Sequence, residues 1–74
     1  MEKLLEILSE VRPDVDFENE NGLIDNGILD SLNIMEIVAE IGDAFDITLS
    51  PADIVPENFN SAKALWSMIQ RLQN

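Results

Sequence analysis

Apolar residues recur at spacings of three and four in three stretches of this chain, the period a helix needs to bury one face. Leu4, Leu5, Ile7, Leu8 and Val11 form the first stretch and predict a helix over residues 2–11. Arg12 is expected in its last turn, where a cation suits the helix dipole, and Pro13 ends it. Leu32, Ile34, Met35, Ile37, Val38, Ile41 and Phe45 predict a second helix with a broad apolar face, from Asp30 or Ser31 to about Phe45. Gly42 inside it costs roughly 1 kcal/mol relative to alanine, and either permits close packing or weakens the last turn. Ala62, Leu65, Met68, Ile69 and Leu72 predict a last helix that begins near Asn60 or Ser61. Ser-Pro-Ala-Asp at 50–53 predicts a short third helix, with Ser50 as cap, Pro51 at the first helical position, Asp53 in the first turn and Pro56 as its end. The expected fold is all-α: a small bundle of three main helices and one short one, with a long loop between the first two. Residues 1–74 are expected to form a single domain.

The 74 residues include no cysteine, histidine or tyrosine. A domain this small buries a modest share of its surface, and neither a disulfide nor a thiolate metal site can staple it. Its stability rests on packed apolar side chains, which make up 46% of the residues. A serine nucleophile needs a neighbouring base, most often histidine, and none exists here. Zinc sites built on histidine or cysteine are excluded as well. The chain is therefore expected not to be an enzyme.

The formal charge is −11, and the four cations are Lys3, Arg12, Lys63 and Arg71. Between Pro13 and Ala62 there are 12 carboxylates and no cation. That field repels nucleic acid and anionic membrane surfaces, and it speeds encounter with basic protein patches. Simple solubility would account for the same acidity. No apolar run approaches the roughly 20 residues of a membrane span, and the acidic start is unlike a secretory signal. The expectation is a cytoplasmic, monomeric protein that is not inserted in a membrane.

Residues 12–30 form a 19-residue connection. Loops of that length are usually functional or disordered. Val15, Phe17, Leu23, Ile24, Ile28 and Leu29 offer side chains to pin it on the core, so an ordered loop is expected. Gly22 and Gly27 follow asparagines, a turn signal. The segment Asp14–Asp25, DVDFENENGLID, imitates a calcium loop. The sharp-turn glycine would fall at Asn19 and the last ligand would be Asp25 rather than glutamate, so no metal site is expected.

The loop ends in GILDSLN at 27–33. An Asp-Ser pair at a helix start has an ordinary explanation, a cap that satisfies free backbone N–H groups. It also suits covalent attachment. A phosphate on Ser31 would meet those N–H groups and the positive end of the helix. Asp30 opposes such a phosphate electrostatically but could help to hold a metal ion while another enzyme attaches it.

GILDSLNIMEIVAEI resembles the modification site of the acyl and peptidyl carrier protein family. The resemblance covers essentially the whole chain and implies an acyl-carrier-like helical bundle. In that family the serine after an aspartate receives 4′-phosphopantetheine from coenzyme A, which implies attachment at Ser31. Fatty-acid carriers usually place a loop glycine three residues before the serine. Gly27 lies four before Ser31, a spacing similar to the D-alanyl carriers that serve teichoic acids. The likeness continues through Glu36, AEI at 39–41, FDI at 45–47 and PENFNSAKAL at 56–65. The chain departs from the family in its short first helix, in Leu23 or Ile24 where an early phenylalanine or leucine is common, and in Phe59 where the D-alanyl group has tryptophan.

The resemblance implies a non-catalytic carrier of an acyl or aminoacyl thioester, with D-alanine as one cargo. The implied partners are a phosphopantetheinyl transferase, an adenylating ligase that loads the cargo and an acceptor acyltransferase or synthase. Peptide, polyketide and fatty-acid pathways stay open, as does an acidic helical adaptor that never carries the arm. Glu36, Glu40 and Asp43 share a helical face that either docks basic partners or is simply solvated. Asp30, Leu32 and Met35 complete the candidate docking set. Leu32 and Met35 lie in the apolar stripe, where a core role is the first expectation. Phe59 and Trp66 are expected to be packing residues.

Overall fold

The computed structural model describes residues 1–73 of the chain. Helix α1 spans Glu2–Val11, α2 Ser31–Ala44, α3 Pro56–Phe59 and α4 Ala62–Gln73, with no strand among the described residues. The expected all-α bundle of three main helices and one short one is what forms. Helix α1 packs on α2 and α4, and α3 packs on α4.

The four helices meet in one apolar cluster. Leu4, Ile7 and Leu8 come from α1, Ile37 and Ile41 from α2, Phe59 from α3, and Ala62, Leu65, Met68 and Ile69 from α4. Phe17, Leu23 and Leu29 enter the same cluster from residues 12–30. The long loop is thus ordered because it supplies part of the core. Each fully buried side chain of that size contributes about 1.5–3 kcal/mol relative to exposure. Turn chemistry shapes the rest. Leu23 O accepts from Ile28 N at 3.0 Å and Leu29 N at 2.9 Å, closing the turn over 23–29. Gly27 has φ +69° within it, where a side chain would be strained.

The short helix lies later than the sequence pattern predicts. Ser50–Asp53 forms a single turn instead: the Asp53 carboxylate accepts from Ser50 N at 3.0 Å and from Ser50 Oγ at 3.1 Å. Pro56 begins α3 rather than ending a helix. The reason is steric. A residue before proline is pushed out of the α region, and Val55 is extended at φ −125°, ψ 152°. Pro56 then has its φ preset for the first helical position. Asn58 Nδ2 donates to Asp53 O at 2.8 Å and ties α3 to the preceding turn. Ser61 caps α4, its hydroxyl accepting from Ala64 N at 3.0 Å.

Helix α2 ends in a tight reversal. Ile47 N donates to Gly42 O at 3.1 Å, and Asp46 adopts φ +53° between them. This is the arrangement that glycine usually completes. A Cβ on Gly42 would meet Ile47 O at 3.4 Å, an ordinary van der Waals contact, so the returning chain does not itself require glycine here. Lys3 Nζ donates to Ala44 O at 3.1 Å and lies 5.6 Å from the centroid of the Phe45 ring, placing a cation at the negative helix end. Phe45 in turn meets Trp66 edge to face, with ring centroids 5.9 Å apart. Asp46 carries both a left-handed backbone and a carboxylate at that same negative end. Asp46→Gly is expected to stabilise the domain by about 1 kcal/mol, raising Tm by roughly 4–8 °C, with Asp46→Ala giving less; thermal denaturation checks both.

Candidate functional site

The start of α2 is built by a reciprocal cap. Asp30 is the N-cap residue, and its carboxylate accepts from Asn33 N at 2.8 Å. Asn33 Oδ1 accepts in return from Asp30 N at 3.3 Å. Ser31 is therefore the first residue inside the helix and not its cap. Its side chain is exposed, and among the described residues nothing hydrogen-bonds to its hydroxyl. The ordinary reason for a serine here, satisfying the helix end, is already met by its neighbours.

A third residue extends the cap. Arg12 stands just past α1 as its C-cap residue, outside the last turn where the dipole argument put it. Its Nη1 donates to Ile28 O at 2.6 Å and to Asn33 Oδ1 at 3.3 Å. Its Nε and Nη2 donate to the two carboxylate oxygens of Asp14 at 3.0 and 2.8 Å. The paired guanidinium holds the Asp14 carboxyl below the usual carboxylate range. One cation thus joins the end of α1, the loop at residue 28 and the third residue of α2.

On the far side of the loop Asn60 does similar work. Its Oδ1 accepts from Ile24 N at 3.0 Å and Asp25 N at 3.2 Å, and its backbone carbonyl accepts from Leu23 N at 2.8 Å. Its Nδ2 donates to the Asp25 carboxylate at 3.0 Å. The segment leading to Ser31 is held at Arg12 and at Asn60. A cleft of about 430 Å³ opens beside it, lined by residues that include Arg12, Asp14, Gly27, Ile28 and Asp30. An exposed hydroxyl without a partner, on a fixed helix start beside open space, fits covalent attachment of a long phosphate-linked group. The free N–H groups of a first helical turn favour the phosphate itself.

The other candidate residues spread from this point. Leu32 and Met35 are 70% and 61% exposed, so they do not belong to the buried face expected from their spacing. Only Ile37 and Ile41 of α2 are fully buried; Ile34, Val38 and Phe45 pack at the margin of the core. Asp30, Glu36, Glu40 and Asp43 are all exposed. Glu36 and Glu40 also border a groove of about 350 Å³ between α1 and α2, together with Glu10, Val11 and Ala39. The structure thus brings Asp30, Ser31, Leu32, Met35 and Glu36 to the exposed first part of α2. Asp43 lies two turns further along. Arg12, Asn33 and Asn60 are site-building residues outside the candidate set. Asp30 and Asn33 do carry a visible signal, polar partners spaced by three at a helix start. Arg12 carries another, as the sole cation between Lys3 and Lys63. Asn60 has none, because its partners are 35 and 36 residues away.

Replacing the cap and the serine separates their roles. Asp30→Ala is expected to destabilise the domain by about 1 kcal/mol, whereas Ser31→Ala changes it by less than about 0.5 kcal/mol; urea denaturation checks the pair.

Over residues 2–69 the chain matches the protein family described as the phosphopantetheine attachment site. Three D-alanyl carrier proteins of Lactococcus lactis, from subsp. cremoris strains MG1363 and SK11 and subsp. lactis strain IL1403, are each 34% identical to it over 61 residues. The alignment covers 82% of this chain and 72% of each relative. No solved structure matches it at a significant level.

Proposed function

The chain belongs to the phosphopantetheine attachment-site family, and from that premise we propose that Ser31 is where its 4′-phosphopantetheine arm is attached. The observation that carries this assignment is the exposed Ser31 hydroxyl, left without a partner by the Asp30–Asn33 cap. In the attachment step the serine oxygen bonds to the phosphorus that bears pantetheine in coenzyme A. The pyrophosphate bond breaks, 3′,5′-ADP leaves, and the hydroxyl proton passes to a base on the transferase. The chain needs no base of its own for this. The arm supplies the thiol that a cysteine-free chain lacks, and cargo rides there as a thioester.

The protein acts as a cytoplasmic, monomeric, non-catalytic carrier formed by a single domain over residues 1–74. Its cargo is D-alanine, a reading supported by the D-alanyl carriers among its relatives and by the Gly27–Ser31 spacing. Its partners are the phosphopantetheinyl transferase, an adenylating ligase specific for D-alanine and an acceptor acyltransferase. The tether keeps the cargo at high effective concentration near whichever enzyme is docked. Docking uses the exposed part of α2. Leu32 and Met35 supply apolar surface beside Ser31, and Asp30, Glu36, Glu40 and Asp43 steer basic patches toward it. No helix among the described residues is long and apolar enough to cross a membrane.

Intact mass after incubation with coenzyme A, magnesium and a broad-specificity transferase tests the attachment. The expected gain is one phosphopantetheine on the parent chain and none on Ser31→Ala. No gain on a folded, initially unmodified chain with several active transferases would favour the adaptor reading. Loading of the modified protein by a D-alanine ligase, but not by ligases for other amino acids, is expected to fix the cargo. Glu36→Lys with Glu40→Lys is expected to slow modification at low salt without unfolding the domain; an unchanged rate would remove those residues from docking.

A further inference from the structure

We propose that Arg12 is a positioning residue for modification at Ser31, holding the first turn of α2 in register through Asn33. The inference rests on the assignment of Ser31 and extends it to a residue on another element. Arg12 commits four of its N–H donors to three acceptors on different segments: the Asp14 carboxylate, Ile28 O and Asn33 Oδ1. Asn33 is the pivot. Its Oδ1 also accepts from Asp30 N, and its own N–H donates to Asp30 Oδ1. Ser31 is bonded directly to Asp30, so its hydroxyl is placed by a chain of contacts that starts at the end of α1.

The placement matters because the serine makes no contact that orients it by itself. Nothing among the described residues bonds to its hydroxyl. Its geometry is that of the backbone at the first helical position, where ends fray unless their caps are held. The Asp30 N–H reaches Asn33 Oδ1 only at 3.3 Å, a long bond, and a second donor on the same oxygen reinforces the orientation of the amide. Arg12 supplies that donor. The side chain is only 31% exposed, although the three other cations of this strongly acidic chain lie at the surface. A displacement of about 1 Å in a reacting atom costs up to ~100-fold in rate, so a loose first turn is a kinetic defect even when the domain remains folded.

The fork geometry separates this role from simple charge. A guanidinium reaches several acceptors in a plane, whereas lysine places one compact charge at the end of a flexible stem. Lysine would preserve the positive field beside Asp30 but not the joint hold on Asp14, Ile28 and Asn33.

The test compares the parent chain, Arg12→Ala, Arg12→Lys and Asn33→Ala as transferase substrates. It is run with coenzyme A and magnesium, at a temperature where circular dichroism shows every chain fully folded. Both Arg12 variants are expected to lose roughly tenfold in kcat with KM little changed, since the exposed face of α2 is untouched. Asn33→Ala is expected to lose a similar factor, and the Arg12→Ala, Asn33→Ala double variant little more than either single one, as residues acting through one path do. Amide hydrogen exchange on the unmodified chains gives a second readout: Asn33 N–H is expected to exchange faster in Arg12→Ala, with Leu65 and Ile69 in α4 unchanged. Parent-like kcat in Arg12→Ala, or full rescue by Arg12→Lys, would overturn the proposal while leaving the attachment site intact. A parent chain that gains no mass at Ser31 would instead overturn the attachment reading, and this inference with it.

Discussion

A connection of 19 residues has to be made part of the core, and the rest of this structure depends on how that is done. Fixing each backbone residue costs about 1–2 kcal/mol of entropy, so an ordered loop of this length needs substantial compensation. Phe17, Leu23 and Leu29 provide it by entering the apolar cluster between the helices. Apolar burial alone is not directional, however. It does not determine which backbone groups face which partners. Arg12 at one end and Asn60 at the other give the loop its register, through bonds to Ile28 O and to the amides of Ile24 and Asp25. The helices supply a surface for the loop, and the loop in turn sets where α2 begins.

That order of dependence explains which parts of the fold the sequence reveals. The three main helices are legible because each repeats an apolar face over ten or more residues, and local periodicity is what such a pattern reports. The ordered loop is legible from its apolar residues. The short helix is misplaced because Ser50–Pro51–Asp53 and Pro56 both carry start signals, and a proline stops or starts a helix according to the residues on its C-terminal side. Here Asn58 and the buried Phe59 come after Pro56 and hold α3 in place, a fact of packing rather than of pattern. Leu32 and Met35 mislead for the opposite reason. They continue the apolar stripe of α2, but their side chains lie on a part of the helix surface that nothing covers and they remain in solvent. Periodicity says which residues share a face and not how far along the face its cover extends.

At the candidate site, Asp30 and Ser31 are legible as a pair, but the division of labour between them is not. Either residue type serves as a helix cap, and sequence alone leaves both open. The side chain of Asn33 decides it. By closing the box with Asp30 it moves Ser31 inside the helix and leaves the hydroxyl without a partner. Arg12 stands out in the sequence as the sole cation between Lys3 and Lys63, but its partners, like those of Asn60, are set by the fold, because each bonds to segments distant in sequence. Their importance emerges from counting donors and acceptors in space, which no residue spacing encodes.

Helix α2 breaks local rules more often than the other elements. It exposes Leu32 and Met35 and ends with Asp46 in a left-handed conformation. A chain of this size with a charge of −11 has little stability to spare, so such departures call for a reason. Leu32 and Met35 lie together beside the exposed Ser31 hydroxyl, where a docked enzyme would need apolar surface and access. Asp46 lies at the opposite end of the helix, and nothing in the structure explains its carboxylate there. The distinction bears on function. Isolated departures are common in natural proteins, but a cluster at a rigidly capped helix start needs one cause. A carrier has to present a fixed attachment point and an open approach to it while supplying none of the chemistry. A chain without histidine or cysteine fits that requirement by structure alone: the cap is closed by Asp30, Asn33 and Arg12, and the Ser31 hydroxyl stays exposed beside it.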